Sequence, residues 1–298
     1  MEDPAAADPL WAHLRGYAGL GCGPLTDLHL FLEELGYVAA PGPFFPTTAL
    51  FAPLLDAIGD DRLPAVLEGE ATGTVAVAGE DGIWVANDDP VKTFVAEADR
   101  VDWVAVVSGA PAVTLVAAPP TRLVATIDPS RRLFEVDASA AGTGAAIAID
   151  QEVLDALIER ATVALAAEMV GTARRLFDMT LAYAKERIQF DVPIGSFQAI
   201  QHKLADMALE LERATSAVQY AAMTIDAGDD DRHRATHVAK GAAGAAATRA
   251  AKDGIQIHGG IGYTWEHDLH LFIRRVYGAE HWLGTRTEHL DQLADLVL

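Results

Sequence analysis

The sequence predicts a mainly α-helical protein with a small middle β domain: N-terminal helices, a small sheet or barrel, and a C-terminal four-helix bundle. Apolar residues recur at three- and four-residue spacing across 151–185 (Leu154, Ile158, Ala161, Leu165, Leu176, Met179, with Thr172 on the same stripe). The spacing repeats across 196–227 (Ile200, Leu204, Met207, Leu211, Ala214, Val218), the period of one helix face. A short Pro193-Ile194-Gly195 turn separates the two, so these helices must run roughly antiparallel. Residues 69–149 instead hold short runs rich in β-branched residues, cut by Gly, Pro, Asn and Asp.

In chain order, residues 1–68 read as helical. The amphipathic run 27–35 is stopped by Gly36, and Ala40 to Pro46 is excluded from helix because its prolines lack donors and bias their neighbours. Thr47 or Thr48 then caps a second helix through Ile58. The runs TGTVAVAG, GIWVAN, VDWVAVVSG, AVTLVAA, TRLVATID and RLFEV are taken as strands of one small antiparallel sheet or barrel over 69–149. Asp150 is set to cap the first long helix. The alanine-rich run 233–257 makes a third helix whose small residues permit close approach. His258-Gly259-Gly260-Ile261-Gly262-Tyr263 breaks it, and Thr264 or Trp265 starts a last helical region through Leu296. The domains expected are therefore 1–68, 69–149 and 150–298.

A chain of 298 residues can bury a full core and suits two or three domains. A formal charge of −21 argues against nucleic acid and anionic membrane surfaces as partners. A lone cysteine, Cys22, excludes a disulfide framework and a thiolate cluster. Neither a signal-peptide pattern nor an 18-residue apolar run is present, so a soluble, cytoplasmic protein is expected. His233 and His237 are spaced i,i+4, but Arg234 stands where a zincin has its glutamate, so a solvated face is expected. His267 and His270, beside Glu266 and Asp268, read as a helix start and packing residues. Gly260-x-Gly262 follows no strand, so a dinucleotide fingerprint is rejected.

The corner between the long helices reads Arg187-Ile188-Gln189-Phe190-Asp191-Val192-Pro193-Ile194-Gly195-Ser196-Phe197-Gln198. It resembles the signature of the acyl-CoA dehydrogenases, flavoenzymes that oxidise acyl-CoA thioesters and that read R-x-x-F-G-x-P-I-x-x-F-Q there. Only Asp191 departs, where Gly is usual. Gln256-Ile257-His258-Gly259-Gly260-Ile261-Gly262-Tyr263 resembles the family's second signature, and LFLEELGYVAAPGPFFPT (30–47) its N-terminal wording. The resemblance implies a truncated acyl-CoA dehydrogenase fold that lacks two N-terminal helices. It also implies FAD shared between subunits. Arg187, Gln189, Phe190, Gln198, Gln256, Gly259 and Gly260 would hold the adenosine and pyrophosphate end of a neighbour's FAD.

The family grips the flavin ring with T-E-P-x-x-G-S-D and K-x-W-I-T. The first is absent, and the second survives as Lys92-Thr93-Phe94-Val95-Ala96, with Phe94 and Ala96 in place of Trp and Thr. The family's proton-abstracting carboxylate lies in Y-E-G-T, matched here by His281-Trp282-Leu283-Gly284-Thr285, or on the first bundle helix, matched by Ala161. Leu283 and Ala161 cannot abstract a proton. Glu168, two turns beyond Ala161, is either a buried carboxylate paired with an arginine such as Arg174 or Arg249, an interface residue, or a displaced base.

These departures together point to a shortened, non-catalytic subunit of a heteromeric enzyme, resembling the degenerate partner in actinobacterial steroid-type assemblies. A full-length acyl-CoA dehydrogenase subunit would be its partner, and an acyl-CoA, including one with a steroid side chain, the substrate of the complex. The alternatives are a homo-oligomeric dehydrogenase with Glu168 as base, and a flavin-free scaffold or regulatory protein of the same fold.

Overall fold

The computed structural model describes residues 7–139 and 145–298. The chain packs as two compact units, one made of Met1–Leu28, Pro41–Thr162 and Trp282–Gly284, the other of His29–Ala40, Val163–His281 and Thr285–Leu298.

The first unit opens with α1 (Ala7–Leu14), a 3-10 segment (Arg15–Cys22) and the start of α2 (Leu25–Tyr37). Helical turns then begin at Phe44, earlier than expected, and pass through a π-helical stretch (Pro46–Phe51) into α3 (Ala52–Ile58). Pro46 sits at the first position of that stretch, where a missing N–H leaves no bond unmade. Thr47 and Thr48 are consequently interior residues and cap nothing. Thr48 Oγ1 donates to the Phe44 carbonyl at 2.8 Å, and Thr47 Oγ1 donates to the Gly73 carbonyl at 3.2 Å. Gly59, with φ of 65°, closes α3, and α4 (Leu63–Leu67) follows.

The β region forms two sheets where the sequence suggested one. The strands are β1 (Gly73–Ala76), β2 (Val91–Ala96), β3 (Trp103–Ser108), β4 (Ala112–Ala117), β5 (Thr121–Val124), β6 (Leu133–Asp137) and β7 (Ile147–Ala148). One sheet has the order β1-β3-β4-β7, with β1 and β3 parallel; the other is β2-β6-β5 and antiparallel throughout. Val95, Val104, Val106, Phe134 and Val136 share a buried cluster drawn from both sheets. GIWVAN (82–87) is not a strand. Asn87 Nδ2 donates to the Val77 and Val85 carbonyls, and Asp81 and Asp89 accept the Ile83 and Glu80 amides. Local side chains thus supply the bonds that a strand ladder would have supplied.

The second unit holds the rest of α2, then α5 (Gln151–Glu186) from Val163, a two-strand hairpin of β8 (Ile188–Gln189) and β9 (Val192–Pro193), and α6 (Gln198–Ala227). After these come α7 (Arg232–His258), a 3-10 turn (Gly259–Tyr263), α8 (Leu269–His281) and α9 (Arg286–Val297). The alanine-rich α7 packs against α6, α8 and α9, its small side chains being what lets three helices approach it. Gly36 does not stop α2. It lies inside the helix, where a Cβ would stand 2.0 Å from the Glu168 carbonyl oxygen, and Gly171 on α5 meets the Glu33 carbonyl in the same way at 1.8 Å. Thr172 Oγ1 donates to the Gly36 carbonyl at 3.1 Å across the same contact.

The last helical region starts at Leu269, not at Thr264 or Trp265, and is broken before α9. Leu283 and Gly284 take φ of 57° and 90° at the break. Thr285 and Glu288 then form a capping box that starts α9. No helix among the described residues is long and apolar enough to cross a membrane.

Candidate functional site

The corner between α5 and α6 is a tight hairpin. Gln189 pairs with Val192, and the two loop residues, Phe190 and Asp191, have φ of 55° and 61°. These are the signs that a two-residue type I′ loop demands, and Asp is one of the few residues with a side chain that tolerates them. That is the physical basis on which Asp191 stands where Gly is usual. Phe190 is held out at 87 % exposure, with the edge of Phe197 against it, 6.1 Å between centroids. The Arg187 backbone is fixed by the Tyr183 carbonyl and the Ile194 amide, at 2.9 and 2.8 Å. Its side chain is exposed and makes no hydrogen bond or ion pair to any described residue. Gln198 opens α6 and is exposed, while Gln189 Nε2 donates to the neighbouring Ile188 carbonyl at 2.7 Å.

Gln256 is exposed on the last turn of α7, just before the glycine turn. Gly259 has φ of 62° and gives its own N–H to the Ile255 carbonyl. It therefore contributes a bare α-carbon and a left-handed bend, its amide being already engaged. At Gly259 and Gly260 no other described residue lies within 4 Å of where a Cβ would be, so the backbone there meets open space among the described residues. The turn is tied to the α5 corner by the ring of His258, which stacks on Tyr183 at 4.4 Å and 19°.

Leu283 and Ala161, the positions matched to the family's base, are 4 % and 0 % exposed, and both are apolar. Glu168 is 4 % exposed and its Oε1 accepts from Arg275 Nη1 at 2.5 Å. Arg275 Nη2 also donates to the Ala39 and Ala40 carbonyls at 3.3 and 3.2 Å. The partner is thus neither Arg174, which bridges Glu33 and Glu34, nor Arg249, which pairs with Asp206 and Asp253. Sequence spacing offered no pointer to Arg275, because helix periodicity gives the face of α8 and not which residue of α5 meets it.

In the first unit, Phe94 has φ of 54° and its carbonyl accepts from Trp282 Nε1 at 3.3 Å. Trp282 is packed by Phe45, Trp84 and the Arg131 guanidinium, at 5.2, 6.0 and 4.6 Å. Ala96 is buried with no polar atom in its side chain. Lys92 is buried too, with Nζ donating to the Asn87 carbonyl and Oδ1 at 2.7 and 2.6 Å. Burial pushes its ammonium below the usual lysine range, partly offset by Asp89 and Asp88. Among the described residues no group of three or more His, Cys, Asp or Glu is arranged to hold a metal. His237 is partly buried and lies on His289, with the two Nδ1 atoms 2.8 Å apart, so the solvated face expected for it is instead a helix–helix contact.

A model of the acyl-CoA dehydrogenase C-terminal domain matches residues 152–298. The chain is 35 % identical over 275 residues to acyl-CoA dehydrogenase IpdE2 of Mycobacterium tuberculosis, an alignment covering 91 % of this chain and 77 % of that one. The chain belongs to the acyl-CoA dehydrogenase family. Two solved structures share its fold. A chain of the ChsE4-ChsE5 complex from Mycobacterium tuberculosis has a TM-score of 0.85 at 23 % identity, covering 97 % of this chain and 87 % of its own. A chain of a Tcur3481-Tcur3483 steroid acyl-CoA dehydrogenase variant has a TM-score of 0.84 at 27 % identity, covering 97 % and 88 %.

Acyl-CoA dehydrogenases use FAD, and the two halves of the family's cofactor site differ in how they fit it here. Among the described residues the bundle corner fits: Arg187 meets no hydrogen-bonding or ion-pair partner, Phe190 is held out on a loop of positive φ, and no other described residue fills the space beside Gly259 and Gly260. The ring half does not, since Phe94 and Ala96 bring no side-chain donor and Trp282 is buried among Phe45, Trp84 and Arg131.

Proposed function

We propose that this chain is a non-catalytic subunit of a hetero-oligomeric, FAD-dependent acyl-CoA dehydrogenase, and that it completes the FAD site of a full-length partner subunit. The observation that carries this reading is an asymmetry. Arg187 and Phe190 stand exposed on the hairpin corner, whereas the one carboxylate offered as a base, Glu168, is engaged by Arg275 in a buried pair.

The reaction is α,β-dehydrogenation of an acyl-CoA thioester, in which FAD accepts the hydride when bound. In this assignment Arg187 makes a charge-assisted contact to the pyrophosphate, worth about 1.5–3 kcal/mol. Phe190 covers the adenosine end, and Gly259 and Gly260 let the backbone come close to it. Gln189, Gln198 and Gln256 supply polar contacts around it. The proton-abstracting carboxylate and the flavin-ring contacts come from the partner. A steroid-derived acyl group is favoured by the likeness to a chain of a two-component assembly described as a steroid acyl-CoA dehydrogenase. A homo-oligomer using Glu168 as base is disfavoured by the Arg275 contact, and a flavin-free scaffold by the Arg187 charge, which no described residue pairs.

A half-site makes too few contacts to offset the cost of immobilising FAD. The chain purified by itself should be colourless, and the hetero-assembly should hold one FAD per pair of unlike subunits. Arg187→Ala should weaken flavin retention by about 1.5–3 kcal/mol, roughly 10- to 150-fold. Stoichiometric FAD on the isolated chain, or an Arg187→Ala assembly that keeps its flavin through dialysis as wild type does, would overturn the proposal.

A further inference from the structure

His258 sits inside the second signature, yet no step above uses it. The residue is 3 % exposed, and Nδ1 lies 2.8 Å from the Gly254 carbonyl. A carbonyl only accepts, so Nδ1 carries the proton and Nε2 is a bare acceptor with no partner among the described residues. One face of the ring lies flat on Tyr183, and the edge of His267 closes on it with 4.8 Å between centroids. Tyr183 is one helical turn before Arg187 and accepts the Arg187 amide at 2.9 Å. Gly262 packs beneath the same residue, where a Cβ would come within 3.2 Å of the His258 Cβ. The histidine therefore touches both turns of the half-site: the one that carries Arg187 and the one made by Gly259 to Tyr263.

We propose that neutral His258 is a positioning residue that holds the Arg187 turn and the glycine turn in register for the phosphate and adenosine end of FAD, and that its protonation releases them. The proposal rests on the half-site assignment made above. A second proton would place a new N–H at Nε2, where the described residues offer no acceptor. The groups around the ring do not compensate. Tyr183 presents its ring from α5, and His267 presents another imidazole from the turn before α8. Beyond His267 stand His270, Asp268 and Arg274, while Asp253 on α7 is taken by Lys203 and Arg249. Burial, and then His267, hold the imidazole below its ordinary value of 6.5, with the Gly254 bond acting the other way. The sign follows from that direction. The positioning is intact above about pH 6.5 and is lost as the pH falls further.

The test uses the FAD-loaded hetero-assembly for flavin retention, and the full chain by itself for amide exchange of Gly259 to Tyr263, both from about pH 8 to pH 5. In wild type, retention should fall about tenfold or more across this range, and the turn amides should exchange faster than intrinsic chemistry accounts for. His258→Phe keeps the stack on Tyr183 and cannot be protonated, so both pH slopes should flatten. His258→Asn keeps a donor for the Gly254 carbonyl and loses the stack, so the turn should be loose at every pH. Tyr183→Leu, which leaves the histidine in place, should loosen it as well. A pH slope unchanged in His258→Phe, or turn amides as protected in Tyr183→Leu as in wild type, would refute the positioning role. Arg187→Ala run alongside separates the two failures. If it retains flavin normally, the half-site assignment falls, and the exchange arm still decides the role of His258.

Discussion

Replacing Glu168 by Gln removes one charge from a buried pair and leaves the other behind. The side chains of Glu168 and Arg275 are 5 % and 3 % exposed and their charged atoms stand 2.5 Å apart. At an effective dielectric of 20, two unit charges about 3 Å apart attract by roughly 5 kcal/mol, and the cost of taking both out of water offsets most of this. The pair therefore adds little net stability, but breaking it costs about 3–5 kcal/mol because a guanidinium is left buried without its counter-charge. Glu168→Gln should lower the thermal midpoint by on the order of 10 °C. The double replacement Glu168→Leu with Arg275→Met should recover most of that loss, since two apolar groups of similar size need no pairing. Calorimetry or circular dichroism on the isolated chain checks both. Turnover of the assembled complex should stay within a few-fold of wild type in Glu168→Gln. A chain as stable as wild type combined with a loss of 10²-fold or more in turnover, the range of a general base, would refute the structural role and make Glu168 the base.

Gly171→Ala should destabilise by about 3 kcal/mol or more, because its Cβ would meet the Glu33 carbonyl at 1.8 Å and backbone cannot give way cheaply; a denaturant midpoint within experimental error of wild type would contradict this. Cys22 should alkylate slowly near neutrality and speed up toward alkaline pH, since burial first and Asp56 second push its thiol up to about 11. A rate that reaches its plateau near pH 8, measured with iodoacetamide, would contradict that. Thr285→Ala should cost about 1 kcal/mol by removing one half of the α9 capping box, seen as faster amide exchange in its first turn.

Much of the architecture was legible in the chain. The three- and four-residue spacing located α5 and α6 to within two residues at each end, and the run of small residues located α7. Failures came where a local rule met a specific partner. Gly36 reads as a helix stop by propensity, but inside α2 it is the residue without a Cβ that lets the Glu168 carbonyl come close. The prolines before Thr47 read as helix breakers, but Pro46 stands at a first position, where its defect is harmless. GIWVAN has the composition of a strand, but Asn87 and its acidic neighbours take its backbone bonds.

The sequence by itself determined the family wording of the two signatures, and that Leu283, Ala161, Phe94 and Ala96, which the resemblance matches to the family's base and flavin-ring positions, carry no carboxylate and no side-chain donor. Each of these is a statement about which atoms a residue has, and needs no coordinates. Only the tertiary structure decided that Glu168 is spoken for by Arg275, that Arg187 is not spoken for by anything described, and that Tyr183 and His258 join the two signature turns. These are statements about which atoms meet. Contacts between residues 107 apart along the chain, as Glu168 and Arg275 are, follow from the packing of whole helices, which no spacing within a single helix encodes.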